Sequence, residues 1–130
     1  MGLGAFEEKE PYILVRPIQA SDTPETISIA IADARTLRID KIIVSTDDTS
    51  DVLLHLRLDD GMSDVGILGS LLLPAGSGVD PAVPPKDLLA AADLDGLGIV
   101  LPNNATLTVE VPVALTSGKY LYVTSIGGTF

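Results

Sequence analysis

The chain has no cysteine and no tryptophan, a single histidine, and only two phenylalanines and three tyrosines among its 130 residues. Without cysteine there are no disulfides and no thiolate metal sites, and a structural zinc site lacks ligands. The core must be built from branched aliphatics, without the disulfide and tryptophan of immunoglobulin domains. Cations are scarce as well: 8 Lys and Arg stand against 18 Asp and Glu, a net charge of −10. Such a chain repels a phosphate backbone, so nucleic acid is not expected as a direct partner. Long hydrophobic runs are missing. Mean hydropathy is +0.39, yet the longest apolar stretch, Val65 to Ala75, is interrupted by Gly66, Gly69, Ser70 and Pro74, well short of the roughly 20 residues of a membrane-spanning helix. No basic segment precedes an apolar one near Met1, and Phe6 stands where a myristoylation signal needs Ser or Thr. A soluble protein made in the cytoplasm is expected, with no membrane partner.

What the chain has in quantity is alternation. Tyr12 to Ile18 reads as a first strand, with Pro17 directing it to a sheet edge. Ile27, Ile29 and Ile31 alternate with small or polar residues over Thr26 to Ala32. Leu37 to Ser45 shifts phase between Ile39 and Ile42, which predicts a bulge or two buried faces. Val52, Leu54, Leu56 and Leu58 face one way and His55, Arg57 and Asp59 the other, and Asp60-Gly61 signals a hairpin into Val65 to Leu73. Residues 74 to 85 hold four prolines and read as a crossover between two sheets. Lys86 to Asp93 predicts about two helical turns, and Ile99 to Leu101 a short strand. Leu107, Val109, Val111 and Val113, then Tyr120, Tyr122, Thr124 and Ile126 after the Thr116-Ser117-Gly118 turn, read as a closing hairpin. About eight short strands and one short helix make an all-β antiparallel sandwich, with jelly-roll-like order preferred, over residues 11 to 130. Residues 1 to 10 read as a flexible arm.

Candidates for chemistry are few. His55 alone cannot supply a triad, and it sits mid-strand beside Arg57, so no catalytic residue is assigned. Gly118-Lys119 lacks the upstream glycine of a phosphate loop. Asp47, Asp48 and Asp51 in one loop are weak calcium candidates; Asp59, Asp60 and Asp64 lie in the next loop, at the far end of the same strand. Neither group has EF-hand spacing, and acidic residues are ordinary turn formers. No cofactor is assigned. Tyr120 and Tyr122 lie two apart on one strand face, and tyrosine is enriched at interfaces.

Several stretches carry a resemblance: Lys41-Ile42-Ile43-Val44-Ser45 before its polar loop, Leu73-Pro74-Ala75-Gly76-Ser77-Gly78, Asp87-Leu88-Leu89, Leu101-Pro102, and Ala114 to Lys119 running on to Gly127-Gly128-Thr129-Phe130. Over roughly residues 38 to 130 the chain resembles small structural proteins of tailed bacteriophages, β-sandwich head decoration (cement) proteins and related virion components. The motifs are compositional and none is catalytic. The resemblance implies a virion protein on the outer capsid surface that is no enzyme. Its partner would be the major capsid protein and its assembly state a homotrimer. The arm would serve as a tether, with Leu3, Phe6 and Tyr12 as capsid contacts. The alternative is a carbohydrate- or receptor-binding β module of the virion, using Tyr120, Tyr122 and an acidic loop.

Overall fold

Two antiparallel sheets face each other across an aliphatic core. The computed structural model describes residues 10–19, 25–30, 37–59, 65–94, 99–101 and 105–129. The strands are β1 (Glu10–Gln19), β2 (Glu25–Ala30), β3 (Leu37–Thr46), β4 (Val52–Asp59), β5 (Val65–Leu73), β6 (Lys86–Asp87), β7 (Ile99–Leu101), β8 (Thr106–Val111) and β9 (Tyr120–Thr129), with one helical turn, α1 (Leu88–Ala91), after β6. The five-stranded sheet has the order β1-β9-β3-β6, with β7 also pairing β3; the four-stranded sheet has the order β2-β8-β4-β5. β6 and β7 pair with successive stretches of β3 and so share one strand position. The pairs then nest: β1 with β9, β2 with β8, β3 with β6 and β7, β4 with β5. This is the order of a jelly roll, a long folded-over hairpin wrapped into two sheets.

The alternation seen in the sequence is the alternation of burial. On β4, Val52, Leu54 and Leu56 are buried, as are Leu107, Val109 and Val111 on β8 and Leu121 and Val123 on β9. On β3 the buried set runs Leu37, Ile39, then Ile42, Val44, Thr46, and the register against β9 shifts between Ile39 and Lys41. The extra residue lets the strand bury apolar side chains on both sides of the phase change. A second shift between Leu56 and Arg57 lies opposite the Gly69 to Ile67 stretch of β5. Gly69 is there for a further reason: a Cβ would stand 2.9 Å from the Cβ of Ala92, so glycine lets the end of α1 close onto the sheet. Pro17 lies on β1, an edge strand, as its missing N–H requires. The prolines of 74–85 accompany the passage from the four-stranded sheet at β5 to the five-stranded sheet at β6.

Three expectations need correction. β8 and β9 are not a hairpin: they belong to different sheets, and residues 112–119 cross between them. Pro112 has no N–H to donate and β8 stops at Val111; Val113, expected inside a strand, is 63% exposed. The helix is one turn, not two. Asp87 accepts a hydrogen bond from Leu89 N at 3.0 Å and so caps the helix after itself, while Lys86 and Asp87 pair with Val44 and Ile43. At the other end Asp93 takes a left-handed φ of 58°, with Leu94 N donating to Leu89 O and Asp93 N to Ala90 O, a Schellman stop. Glu10, assigned to the arm, pairs with Thr129 as the first residue of β1.

One buried polar atom stands out. Ser125 on β9 is fully buried, and its Oγ has no hydrogen-bond partner among the described residues. A hydroxyl in that position costs desolvation without return. Ser125→Ala is therefore expected to stabilise the fold by about 1 kcal/mol, read as a rise of a few degrees in Tm.

Candidate interaction surface

Pairing β1 with β9, and β9 with β3, assembles a face that no single strand displays. Register aligns Ile13 with Ile126 and Lys41, Val15 with Thr124 and Ile43, and Pro17 with Tyr122 and Ser45. The inward residues of β9 are buried, so these rows point away from the core. Ile13 is 67% exposed, Val15 60%, Ile126 38% and Tyr122 36%; Val100 of β7, aligned with Arg38, is 59% exposed. Together they present apolar surface on the order of 400 Å², within the range of the largest patch on a typical monomer, which is often functional. Tyr120 and Tyr122 stack with ring centroids 5.9 Å apart and planes at 18°, extending the stripe toward one end of the sheet.

Charge is distributed around this face unevenly. Among the described residues Arg16, Arg38, Lys41, Lys86 and Lys119 lie on the five-stranded sheet or beside it, and Arg57 is the cation of the other sheet. Arg38 is tied to Asp40 at 2.7 Å. Carboxylates occur on both sheets among the described residues, Glu10, Asp40 and Asp87 on the five-stranded one and Asp59 and Glu110 on the four-stranded one, with Asp47, Asp48 and Asp51 in the β3–β4 loop. A chain of net charge −10 thus keeps the aligned outer rows of β1, β9 and β3 poor in charge.

The outer face of the four-stranded sheet is polar at its centre. His55 is aligned with Ser70 on one side and Glu110 on the other, and His55 Nδ1 lies 2.7 Å from Ser70 Oγ. The residue types are those of a hydrolytic triad, but Glu110 is engaged by Arg57 at 2.6 Å. The row lies across adjacent paired strands, whose backbone amides serve the sheet ladders. It joins three strands with polar contacts.

At one end of the sandwich the aspartates of the β3–β4 loop hold three connections together. Asp48 is buried; its carboxylate accepts from Ser50 N at 2.9 Å, Thr116 N at 2.8 Å and Thr116 Oγ1 at 2.7 Å. Burial alone would raise its pKa, but the hydrogen bonds from Thr116 and the loop amides outweigh it and hold the carboxyl below its ordinary value. Asp47 accepts from Tyr120 N at 2.7 Å and Asp51 from Ala75 N at 3.0 Å. These three carboxylates thus act as acceptors for backbone amides, and among the described residues no group of three or more metal-ligating side chains is assembled. Beside the knot lies a cleft of about 260 Å³ lined by Asp48, Asp51, Leu53, Val113 and Thr116 among others. Leu53 is paired with Leu72, which is 58% exposed, so the cleft has an apolar rim.

The expected site residues are dispersed. Tyr120 and Tyr122 lie on the apolar face. Tyr12 points the other way: it is half-buried against the core, and burial raises its phenol pKa. Leu3, Phe6, Asp60 and Asp64 lie outside the described residues. Sequence reasoning missed Ile13, Val15 and Ile126 as surface residues, because Tyr12 to Ile18 is apolar at both parities. The prolines marked β1 as an edge strand, but a missing N–H reports the in-plane edge and not the face a side chain takes, so they gave no signal for Ile13 and Val15.

No family model and no curated protein matches the chain. Among solved structures, the core of Drosophila NLP, whose crystal structure was described for insight into pentamer formation and histone binding, is similar at a TM-score of 0.49 and 10% identity, covering 91% of this chain and 97% of that one.

Proposed function

We propose that the protein is a non-enzymatic structural subunit of a virion, a decoration or cement protein that binds the outer lattice of a phage head and stabilises it. The observation that carries this reading is the charge-poor apolar face built by β1, β9 and β3, whose composition is that of an interface core. The resemblance of residues 38 to 130 to small structural proteins of tailed phages points the same way. The partner in this reading is the major capsid protein, with Leu3 and Phe6 on the arm as a tether and a homotrimer as the bound form. A net charge of −10 suits the outside of a particle filled with DNA better than the inside. A subunit that binds only the expanded shell stabilises it by mass action, by about 2.7 kcal/mol per site at a hundredfold excess over Kd.

Purified protein added to expanded, empty heads is expected to co-sediment to a saturating level and to raise the temperature at which the heads disrupt. Binding should be unchanged in His55→Ala. Failure to bind expanded heads overturns the reading, and loss of function in His55→Ala would direct attention to the Ser70, His55, Glu110 row instead. For a sugar-binding module the tyrosines would have to offer an open platform; Tyr120 and Tyr122 stack on each other.

A further inference from the structure

We infer that β5 pairs with β5 of a second copy across a two-fold axis, joining two four-stranded sheets edge to edge. β5 is the outer strand of its sheet: β4 lies on one side, and among the described residues no strand lies on the other. The N–H and C=O groups along that open side are a template for another strand. The other free edges are guarded or short. β1 has Pro11 and Pro17, without N–H groups; β2 has six residues and starts on Glu25; β6 and β7 have two and three residues. β5 has nine residues with no proline and no charge, and the uncharged stretch runs on to Val79. Two chains of net charge −10 can meet there without setting carboxylate against carboxylate.

The bulge in β5 selects a copy of the same strand as the partner. Gly69 is aligned with Leu56 and Ile67 with Arg57, so Leu68 is an extra residue that shifts the phase of the strand. Ile67, Ser70 and Leu72 are exposed, while Leu68 and Leu71 are half-buried against the core. An ordinary strand matches this pattern on one side of Leu68 and sets inner against outer residues on the other, which is how a bulge guards an edge. A second copy brings its own extra residue. With Ser70 on the axis, Leu71 falls opposite the Leu68-Gly69 pair of the second copy and Leu72 opposite its Ile67, and the same pairs recur on the other side of the axis. Exposed residues then meet exposed ones and half-buried residues meet half-buried ones, so that Leu72, 58% exposed, and Ile67, 65% exposed, cover each other. Each chain has one β5, so the pairing closes at two copies. It leaves the outward face of β1, β9 and β3 free, and it does not rest on the capsid reading.

By light scattering the protein is expected to pass from monomer to a dimer of 13.5 kDa chains as its concentration rises, and the dimer to tighten with added salt, which screens two like-charged chains. Leu72→Glu sets a carboxylate opposite Ile67 on both sides of the axis and is expected to weaken the dimer roughly tenfold. Adding Ile67→Lys to the same chain should restore it at low salt, since each new cation then faces a new carboxylate across the axis. Adding Val79→Lys instead makes the same change in net charge at an exposed position off the strand, and should not restore it. Every variant is checked for an unchanged circular dichroism spectrum and melting temperature. A wild type that stays monomeric up to its solubility limit overturns the inference. So does an assembly that Leu72→Glu leaves intact, a double variant with Ile67→Lys that stays as weak as Leu72→Glu alone, or a rescue by Val79→Lys as good as that by Ile67→Lys.

Discussion

Replacing Gly127 by alanine is expected to abolish the folded protein, although the change adds a single methyl group. Gly127 sits on β9 between β1 and β3, opposite Tyr12 on one side and Ile39 on the other, where β3 bulges. A Cβ there would run into the carbonyl oxygen of Arg38, would lie 2.8 Å from its carbonyl carbon and would press on the Cα of Ile39 at 3.1 Å. The obstacle is backbone on the central strand, so no rotamer change relieves it. Relief requires β3 and β9 to separate at the bulge, with loss of ladder hydrogen bonds and of the burial of Leu37 and Ile39. The cost is expected to exceed about 4 kcal/mol, beyond the usual range for a point substitution and a large part of a domain's total stability. The check is expression followed by circular dichroism and thermal melting: a Gly127→Ala variant that melts within a few degrees of the wild type would show that β3 yields there.

Asp48→Ala is expected to lower stability by about 3 kcal/mol and Tm by roughly 10 °C, because it removes the acceptor of three charge-assisted hydrogen bonds and leaves Thr116 N–H without its partner. The loss extends beyond one loop. Asp48 O accepts from Gly76 N, and Asp48 N donates to Thr46 Oγ1, which itself donates to Tyr120 O, so the β3–β4 loop, the β5–β6 connection and the β8–β9 connection loosen together. The same carboxylate sets a pH dependence. Its native pKa lies below the ordinary 3.8, so its contribution is complete above that value and disappears as the pH falls through the lower native one. Melting of the wild type and Asp48→Asn should therefore differ most at neutral pH and converge as the pH is taken well below 3.8. A gap that persists unchanged in acid would mean that packing of the side chain, not its charge, holds the knot.

The strands were legible because each buried face repeats with period two, and the bulge in β3 was legible because Ile39 and Ile42 break that period. Neighbour relations were not. Alternation reports which side of a sheet a residue occupies and says nothing of which strand lies beside it, so Leu107 to Val113 and Tyr120 to Ile126 looked like two arms of one hairpin. Only the stop at Pro112 hinted that the chain leaves the sheet. The apolar face stayed hidden for the same reason, since Ile13 and Ile126 are 113 positions apart and meet only through the pairing of β1 with β9. Asp47, Asp48 and Asp51 were visible as an acidic loop. Their employment by the amides of Tyr120, Thr116 and Ala75 depends on segments brought in from elsewhere in the chain.

The placement of β9 between β1 and β3 has a kinetic consequence. β1 cannot join its sheet until β9, made about a hundred residues later, has arrived, and until then β3 has only the short β6 and β7 to pair with. Contacts this distant along the chain make for slow folding, milliseconds to seconds in sandwiches of this kind. The β1-β9-β3 part of the five-stranded sheet therefore forms only after β9 has been made. Until then the β9-facing edge of β3 is unpaired, and a chain that stalls before β9 offers that edge to whatever is nearby.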